Sequence, residues 1–215
     1  MDVIRLRQSE KKLAARVFAR SFFYYPLMVT IYPDRKRRAR YLGWHLGYMI
    51  NYGLRYGEVY TTPDTAGVAI WLPPGQTHCS TWRYILSGFL PVPFLLGFKQ
   101  HGLNTRCDNI LIKVHDELMP GPHWYLWAIA VDPDRQGKGV GTKLMQYGLE
   151  NADAQNLPCY LETHDEKDVL FYMKRGFDVV RIQQIPGADL RFWCMLRQLS
   201  KSLTRAENTS DDVDC

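Results

Sequence analysis

The chain has 215 residues, 46% of them hydrophobic and 23% charged, and a formal net charge of +5. That length and balance suit a single globular domain with a sizeable core and exclude a disordered or fibrous chain. Cys79, Cys107, Cys159, Cys194 and Cys215 are odd in number and lack any Cys-x-x-Cys spacing, which argues against a disulfide framework and a zinc site, so no metal is expected.

Met1-Asp2 leads directly into the strand-like Val3-Ile4-Arg5-Leu6 with no basic and apolar leader, so a cytoplasmic chain is expected. Residues 10–21 carry Leu13, Val17 and Phe18 on one helical face. A second, long helix is predicted from a cap at Asp34 to Gly57, with Tyr41, Leu42, Trp44, Tyr48, Met49 and Tyr52 recurring at threes and fours. Its basic start, Arg35, Lys36, Arg37, Arg38 and Arg40, reads as a solvated helix end rather than a nucleic-acid surface, so no nucleic-acid partner is expected. Residues 58–61 and 68–72 form a hairpin across the turn Thr62-Pro63-Asp64.

Residues 80–118 are largely helical or irregular. Within them the apolar stretch 84–98 holds Pro91, Pro93 and two glycines and falls short of the roughly 20 apolar residues of a membrane helix, so it reads as buried or pocket-lining and no membrane partner is expected. His115-Asp116-Glu117-Leu118 spells an endoplasmic-reticulum retention signal, which its internal position voids. Residues 123–131 are a near-continuous apolar run stopped by Asp132-Pro133-Asp134, a buried central strand. Then follow a helix over 139–151, a strand over 159–163, a helix over 165–175 closed by Gly176, and strands over 177–183 and 191–196. The order reads as α+β around a mixed sheet. Residues 1–199 make one domain, and the polar 200–215 are expected to be a disordered tail.

Between the central strand and the following helix lies Gln136-Gly137-Lys138-Gly139-Val140-Gly141-Thr142. Three glycines at alternate positions let the backbone turn tightly and aim several N–H groups at one point, and the helix adds the positive end of its dipole: an anion cradle suited to a pyrophosphate. A Walker loop would need Gly-x-x-x-x-Gly-Lys-Ser/Thr, and a dinucleotide fingerprint would need Gly-x-Gly-x-x-Gly near the start of a βαβ unit. The spacing Gly-x-Gly-x-Gly in the last half of the chain is neither.

Gln136-Gly137-Lys138-Gly139-Val140-Gly141 resembles the Gln/Arg-x-x-Gly-x-Gly/Ala signature of the GNAT superfamily of N-acetyltransferases, and Phe171-Tyr172-Met173-Lys174-Arg175-Gly176-Phe177 resembles its downstream Phe/Leu-Tyr-x-x-x-Gly-Phe element. The segments 68–75, 123–126 and Leu161-Glu162-Thr163 are similar to the branch that includes puromycin N-acetyltransferase. The resemblance implies a GNAT-type α+β fold, a mixed and mostly antiparallel central sheet flanked by helices on both faces, and acetyl-CoA as acyl donor. It implies the pyrophosphate on the backbone of Gln136, Gly137, Lys138, Gly139, Val140, Gly141 and Thr142. The pantetheine arm would lie along the strand at Ile129, Ala130 and Val131.

By the same resemblance Tyr172 is the acid that protonates the departing thiolate, a role its ordinary pKa of about 10 allows; the alternative is a helix tyrosine packed on the sheet. The attacking amine must be neutral, so a base is expected. Glu162 is the first candidate and His164 the second, and each could instead be a satisfied polar residue at a sheet edge. Trp127 stands where the branch often has a small or acidic residue, and Asp165 and Asp168 where it often has asparagine. The acceptor side is expected from the first two helices and residues 76–118, where Tyr24, Tyr25, Tyr32, Trp44, Tyr48, Trp82, Tyr84 and Phe89 would suit a flat or hydrophobic amine, though most of them could be ordinary core. The leading expectation is acetylation of a small-molecule amine. A protein or peptide acceptor, and a non-catalytic acyl-CoA-binding or membrane-associated module using 84–98, are the alternatives; the sequence leaves open whether the chain is a monomer or a homodimer.

Overall fold

The computed structural model describes residues 2–78 and 80–198; the expected tail over 200–215 lies outside them. In chain order the elements are β1 (Ile4–Arg5), α1 (Lys11–Ser21), α2 (Pro26–Ile31), α3 (Arg35–Tyr56), β2 (Glu58–Thr61), β3 (Gly67–Leu72), α4 (Thr81–Leu86), α5 (Val92–Leu96), α6 (Phe98–Leu118), β4 (Trp124–Val131), α7 (Val140–Ala154), β5 (Cys159–Thr163), α8 (Glu166–Met173), β6 (Asp178–Gln184) and β7 (Arg191–Arg197). The strands form one seven-stranded sheet in the order β1-β2-β3-β4-β5-β7-β6. Every neighbouring pair is antiparallel except β4 with β5, which is parallel.

Alternation along the strands divides the core between two faces. On one, Trp71, Trp124, Leu126 and Leu161 pack with Val140, Leu144, Met145, Val169 and Tyr172 of α7 and α8. On the other, Ile70, Ala128 and Ala130 meet Phe18, Leu42, Leu46 and Ile50 of α1 and α3, and Tyr125, Tyr160 and Phe192 meet Cys107 and Val114 of α6. Helices thus cover both faces, as expected. Cys107, Cys159 and Cys194 are buried free thiols.

The Asp34 cap forms as expected: its carboxylate accepts the Arg37 N–H at 2.7 Å. The helix end behind it is not wholly solvated, however. Arg38 is 5% exposed, donates to the Tyr32 carbonyl at 2.6 Å and lies over the Phe23 ring, because its position in the first turn faces α2. That helix was not predicted. Its six residues, Pro-Leu-Met-Val-Thr-Ile, are too few to show a 3.6-residue period, and Pro26 at the first turn is the sole start signal. Residues 80–118 resolve into three helices, broken around Pro91 and at Gly97, whose φ is +79°.

Helix α7 lies so close to the sheet that a Cβ at Gly148 would stand 2.1 Å from Cε2 of the buried Trp71. Gly148→Ala is therefore expected to destabilise the protein by about 1–3 kcal/mol through overpacking, even though alanine is the better helix former by about 1 kcal/mol. A urea or thermal denaturation curve checks this, and an unchanged or raised midpoint would refute the close packing.

Candidate active site

The cradle is built from a braced turn. After β4 the Asp132 carboxylate accepts the Asp134 N–H at 3.0 Å, and Arg20 of α1 reaches Asp132 at 3.2 Å and Asp134 at 2.8 Å. Arg135 pairs with Asp64 in the β2–β3 turn. On this platform Gly137 and Gly139 adopt φ of +73° and +79°, conformations that a side chain makes costly. A Cβ at either would meet no protein atom within 4 Å, so the space above the loop is open.

The first N–H groups of α7 have no intrahelical acceptor. Lys143 closes the first turn on the Gly139 carbonyl at 3.1 Å, and among the described residues the amides over 137–142 meet no protein acceptor. Unpaired amides and the positive end of the helix dipole at one place favour an anion there. Arg175 adds a positive charge at the rim. Its guanidinium donates to the Thr142 hydroxyl and the Phe171 carbonyl, stacks over the Phe171 ring at 3.5 Å, and has its pKa lowered by burial. Arg175 carried no expected role from the sequence; its signal there is the spacing, four residues after Phe171, in the turn that follows α8.

Beside the cradle the sheet opens. β4 pairs with β5 only at Trp124↔Cys159, Tyr125↔Tyr160 and Leu126↔Leu161. The next residue, Trp127, is the extra residue of a β-bulge, since Ile70 pairs with Ala128 and Trp71 with Leu126. A bulge bends its strand, and here it turns β4 away from β5, leaving the β5-facing backbone edge of 127–131 without a strand partner. A cavity of about 770 Å³ follows that edge. Ile129, Val131, Gln136, Gly137, Val140, Gly141 and Thr142 line it together with Gly139, Phe171, Tyr172 and Arg175, and its far wall is Phe22, Tyr24, Tyr25, Asp165 and Asp168. Of the expected donor-binding residues, Ala130 and Lys138 are outside the lining. Ala130 faces the opposite core, and the Lys138 ammonium turns back to the Asp134 carbonyl at 3.0 Å.

Tyr172 reaches the cavity from α8, is 7% exposed, and packs edge-on against Phe171. Burial, reinforced by the nearby Asp168 carboxylate, raises its pKa well above the phenol range, so it keeps its proton at neutral pH. Asp168, one turn earlier, also lines the cavity, and burial followed by repulsion from Asp165 pushes its pKa up to about 6. Only the family resemblance singled out Asp168, as a departure from asparagine.

Glu162 is the first β5 residue past the last β4 pair and lies outside the cavity lining, on the sheet face opposite α8. Tyr125 donates to its Oε2 at 2.7 Å, while its Oε1 is sealed from solvent with no hydrogen-bond partner among the described residues. Burial raises its pKa to about 7 against the lowering effect of the Tyr125 hydroxyl. His164, at the strand's end, is 8% exposed and is held neutral by burial, its pKa lowered to about 4. Its backbone N–H donates to the Tyr25 hydroxyl at 2.6 Å. That hydroxyl also lies 3.3 Å from Thr163 Oγ1, so Tyr25 ties the α1–α2 connection to the end of β5.

Residues 105–177 match the acetyltransferase (GNAT) family. An uncharacterised N-acetyltransferase of Schizosaccharomyces pombe is 25% identical over 189 residues, covering 82% of this chain and 74% of that one. Among solved structures, arylalkylamine N-acetyltransferase 2 from Aedes aegypti superposes with a TM-score of 0.60 at 15% identity over 93% of this chain and 99% of its own. Drosophila melanogaster polyamine N-acetyltransferase, which forms N-acetylagmatine, does so with a TM-score of 0.59 at 11% identity over 92% and 100%.

The raised carboxyl at Glu162 gives a signed pH dependence. Its contribution is fully favourable below the ordinary value of 4.5 and is lost as pH rises through about 7. Glu162→Gln should therefore gain stability relative to the parent chain, on the order of 1–3 kcal/mol, between the two values. Urea denaturation at pH 4.5 and pH 8 measures it; a difference independent of pH would show that Glu162 is not held in a desolvated site.

Proposed function

We propose that this chain, whose residues 105–177 match the acetyltransferase (GNAT) family, is an acyltransferase that passes the acetyl group of acetyl-CoA to the primary amine of a small molecule by direct attack, with Tyr172 as general acid. The observation that carries this reading is the bulge at Trp127, which frees the β4 edge in line with the glycine cradle. The edge over 127–131 spans about 13 Å and offers N–H and C=O groups at strand spacing, a match for the alternating amides of a pantetheine arm. The amides over 137–142, with Arg175 at the rim, would hold the pyrophosphate at its far end.

In the reaction the amine nitrogen forms a bond to the acyl carbon as the carbon–sulfur bond breaks. Tyr172, protonated at neutral pH, would donate its proton to the leaving sulfur. The amine's proton needs an acceptor, and we assign that role first to Glu162. It lies at the point where β4 and β5 part, on the face opposite Tyr172, and with a pKa of about 7 it is partly ionised at neutrality. His164, a neutral imidazole, is the second candidate. The acceptor would meet Trp127 and Tyr84, whose rings are tilted at 6.2 Å and back onto the buried Tyr52. Such a wall favours a flat or hydrophobic amine, and the two insect enzymes named above act on amines. Three buried free thiols suit a reducing compartment such as the cytoplasm. No helix among the described residues is long and apolar enough to cross a membrane.

Titration of the protein with acetyl-CoA in a calorimeter should give saturable binding that Gly139→Val abolishes. Absence of binding by the parent chain would overturn the donor, and unchanged binding by the variant would overturn the cradle. With an amine found by screening for thiol release, Tyr172→Phe should lower kcat about 100-fold or more while leaving acetyl-CoA binding intact. An unaffected kcat would remove Tyr172 from the chemistry.

A further inference from the structure

The segment joining β3 to α6 is apolar on both sides. Inward, Tyr84 packs on Tyr52 and Trp127, Phe89 on Tyr48, and Val92 and Leu96 are buried. Outward, Trp82 is 66% exposed, Leu86 45%, Leu90 61% and Phe94 79%. Four large apolar side chains facing water within thirteen residues, three on helices of six and five residues and Leu90 in the turn between them, are far more than scattered surface exposure supplies.

The surface beside them is basic. A groove of about 260 Å³ is lined by Lys11, Lys12, Gly43, Trp44, Gly47 and Ser87, and an adjoining one of about 450 Å³ by Lys11, Leu54, Arg55, Leu86 and Ser87, with no acidic residue in either lining. Along α3 the same stripe runs Lys36, Arg40, Trp44, Gly47, Asn51 and Arg55, at spacings of three and four that place them on one face. Trp44 is 45% exposed there.

We propose that α4, α5 and the adjoining α1–α3 groove form a docking face for an anionic lipid surface. Leu86, Leu90 and Phe94 enter the acyl boundary, Trp44 and Trp82 sit at headgroup depth, and Lys11, Lys12, Lys36, Arg40 and Arg55 meet lipid phosphates. A second copy of the chain fits this face poorly, because a two-fold contact is self-complementary and would set one basic rim against another. The cradle is not part of the face, so its occupancy does not bear on this proposal.

The test is flotation of the full chain with vesicles of phosphatidylcholine and phosphatidylserine in equal parts, and with phosphatidylcholine alone. Binding is expected to the anionic vesicles only and to weaken with salt. Lys11→Ala with Lys12→Ala should lower the partition about 30-fold, and Trp82→Ser with Phe94→Ser should abolish flotation, each with an unchanged thermal midpoint. A parent chain that does not float would overturn the proposal. So would variants that float as well as the parent, or a dimer in solution that the apolar variant dissociates while vesicles capture nothing.

Discussion

The parting of β4 from β5 governs the rest of this molecule. A sheet with every backbone group paired would have no place for an extended ligand, and β4 would read as an ordinary central strand. One extra residue, Trp127, set against β3, bends β4 just past its third pair with β5. The freed edge must still find partners for its N–H and C=O groups, and a ligand with amide groups at strand spacing can supply them. The indole of the same residue turns to the other face, where it closes the aromatic wall.

The pieces around this opening are held by contacts distant in sequence. Arg20 of α1 braces the turn before the cradle, Arg135 reaches back to the β2–β3 turn, Arg175 just past α8 bridges to Thr142 on α7, and Tyr25 secures the α1–α2 connection to β5. Each is a modest interaction by itself. Together they fix the cradle, the free edge and Tyr172 on a rigid frame, as catalytic geometry requires. The two ionisable groups flanking the opening are tuned by one cause, desolvation, which keeps the Tyr172 phenol protonated and brings the Glu162 carboxyl to about 7. The proposed proton transfers rest on these two groups, an acid that keeps its proton and a carboxyl poised near neutrality on opposite faces of one sheet.

The segment over 81–96 shows how a short, irregular insertion can do two jobs. Its inward aromatic residues extend the core behind Trp127, while its outward ones leave an apolar tip beside a basic rim. Prolines and Gly97 keep its helices short, so neither face needs the long regular period by which an amphipathic helix is recognised.

Much was legible in the chain itself. The glycine spacing at 137–141 and the apolar run over 123–131 marked a tight glycine turn between a buried strand and a helix, because left-handed backbone and a run buried on both faces are local demands that only certain residues meet. Strand order, the bulge at Trp127 and the hydrogen bond from Tyr125 to Glu162 were not legible, since they depend on which strands become neighbours. The sequence also could not separate Ala130 and Lys138 from the true cavity lining, or show that Arg38 is buried while its neighbours are exposed, because side-chain direction at a bend is set by what packs against it. The six-residue α2 escaped for want of length. What the sequence alone determined was most of the elements and the left-handed turns of the glycine loop, through periodicity and backbone preference; where the sheet opens, and that Tyr172 lines the opening while Glu162 lies on the other sheet face, was decided only by long-range packing.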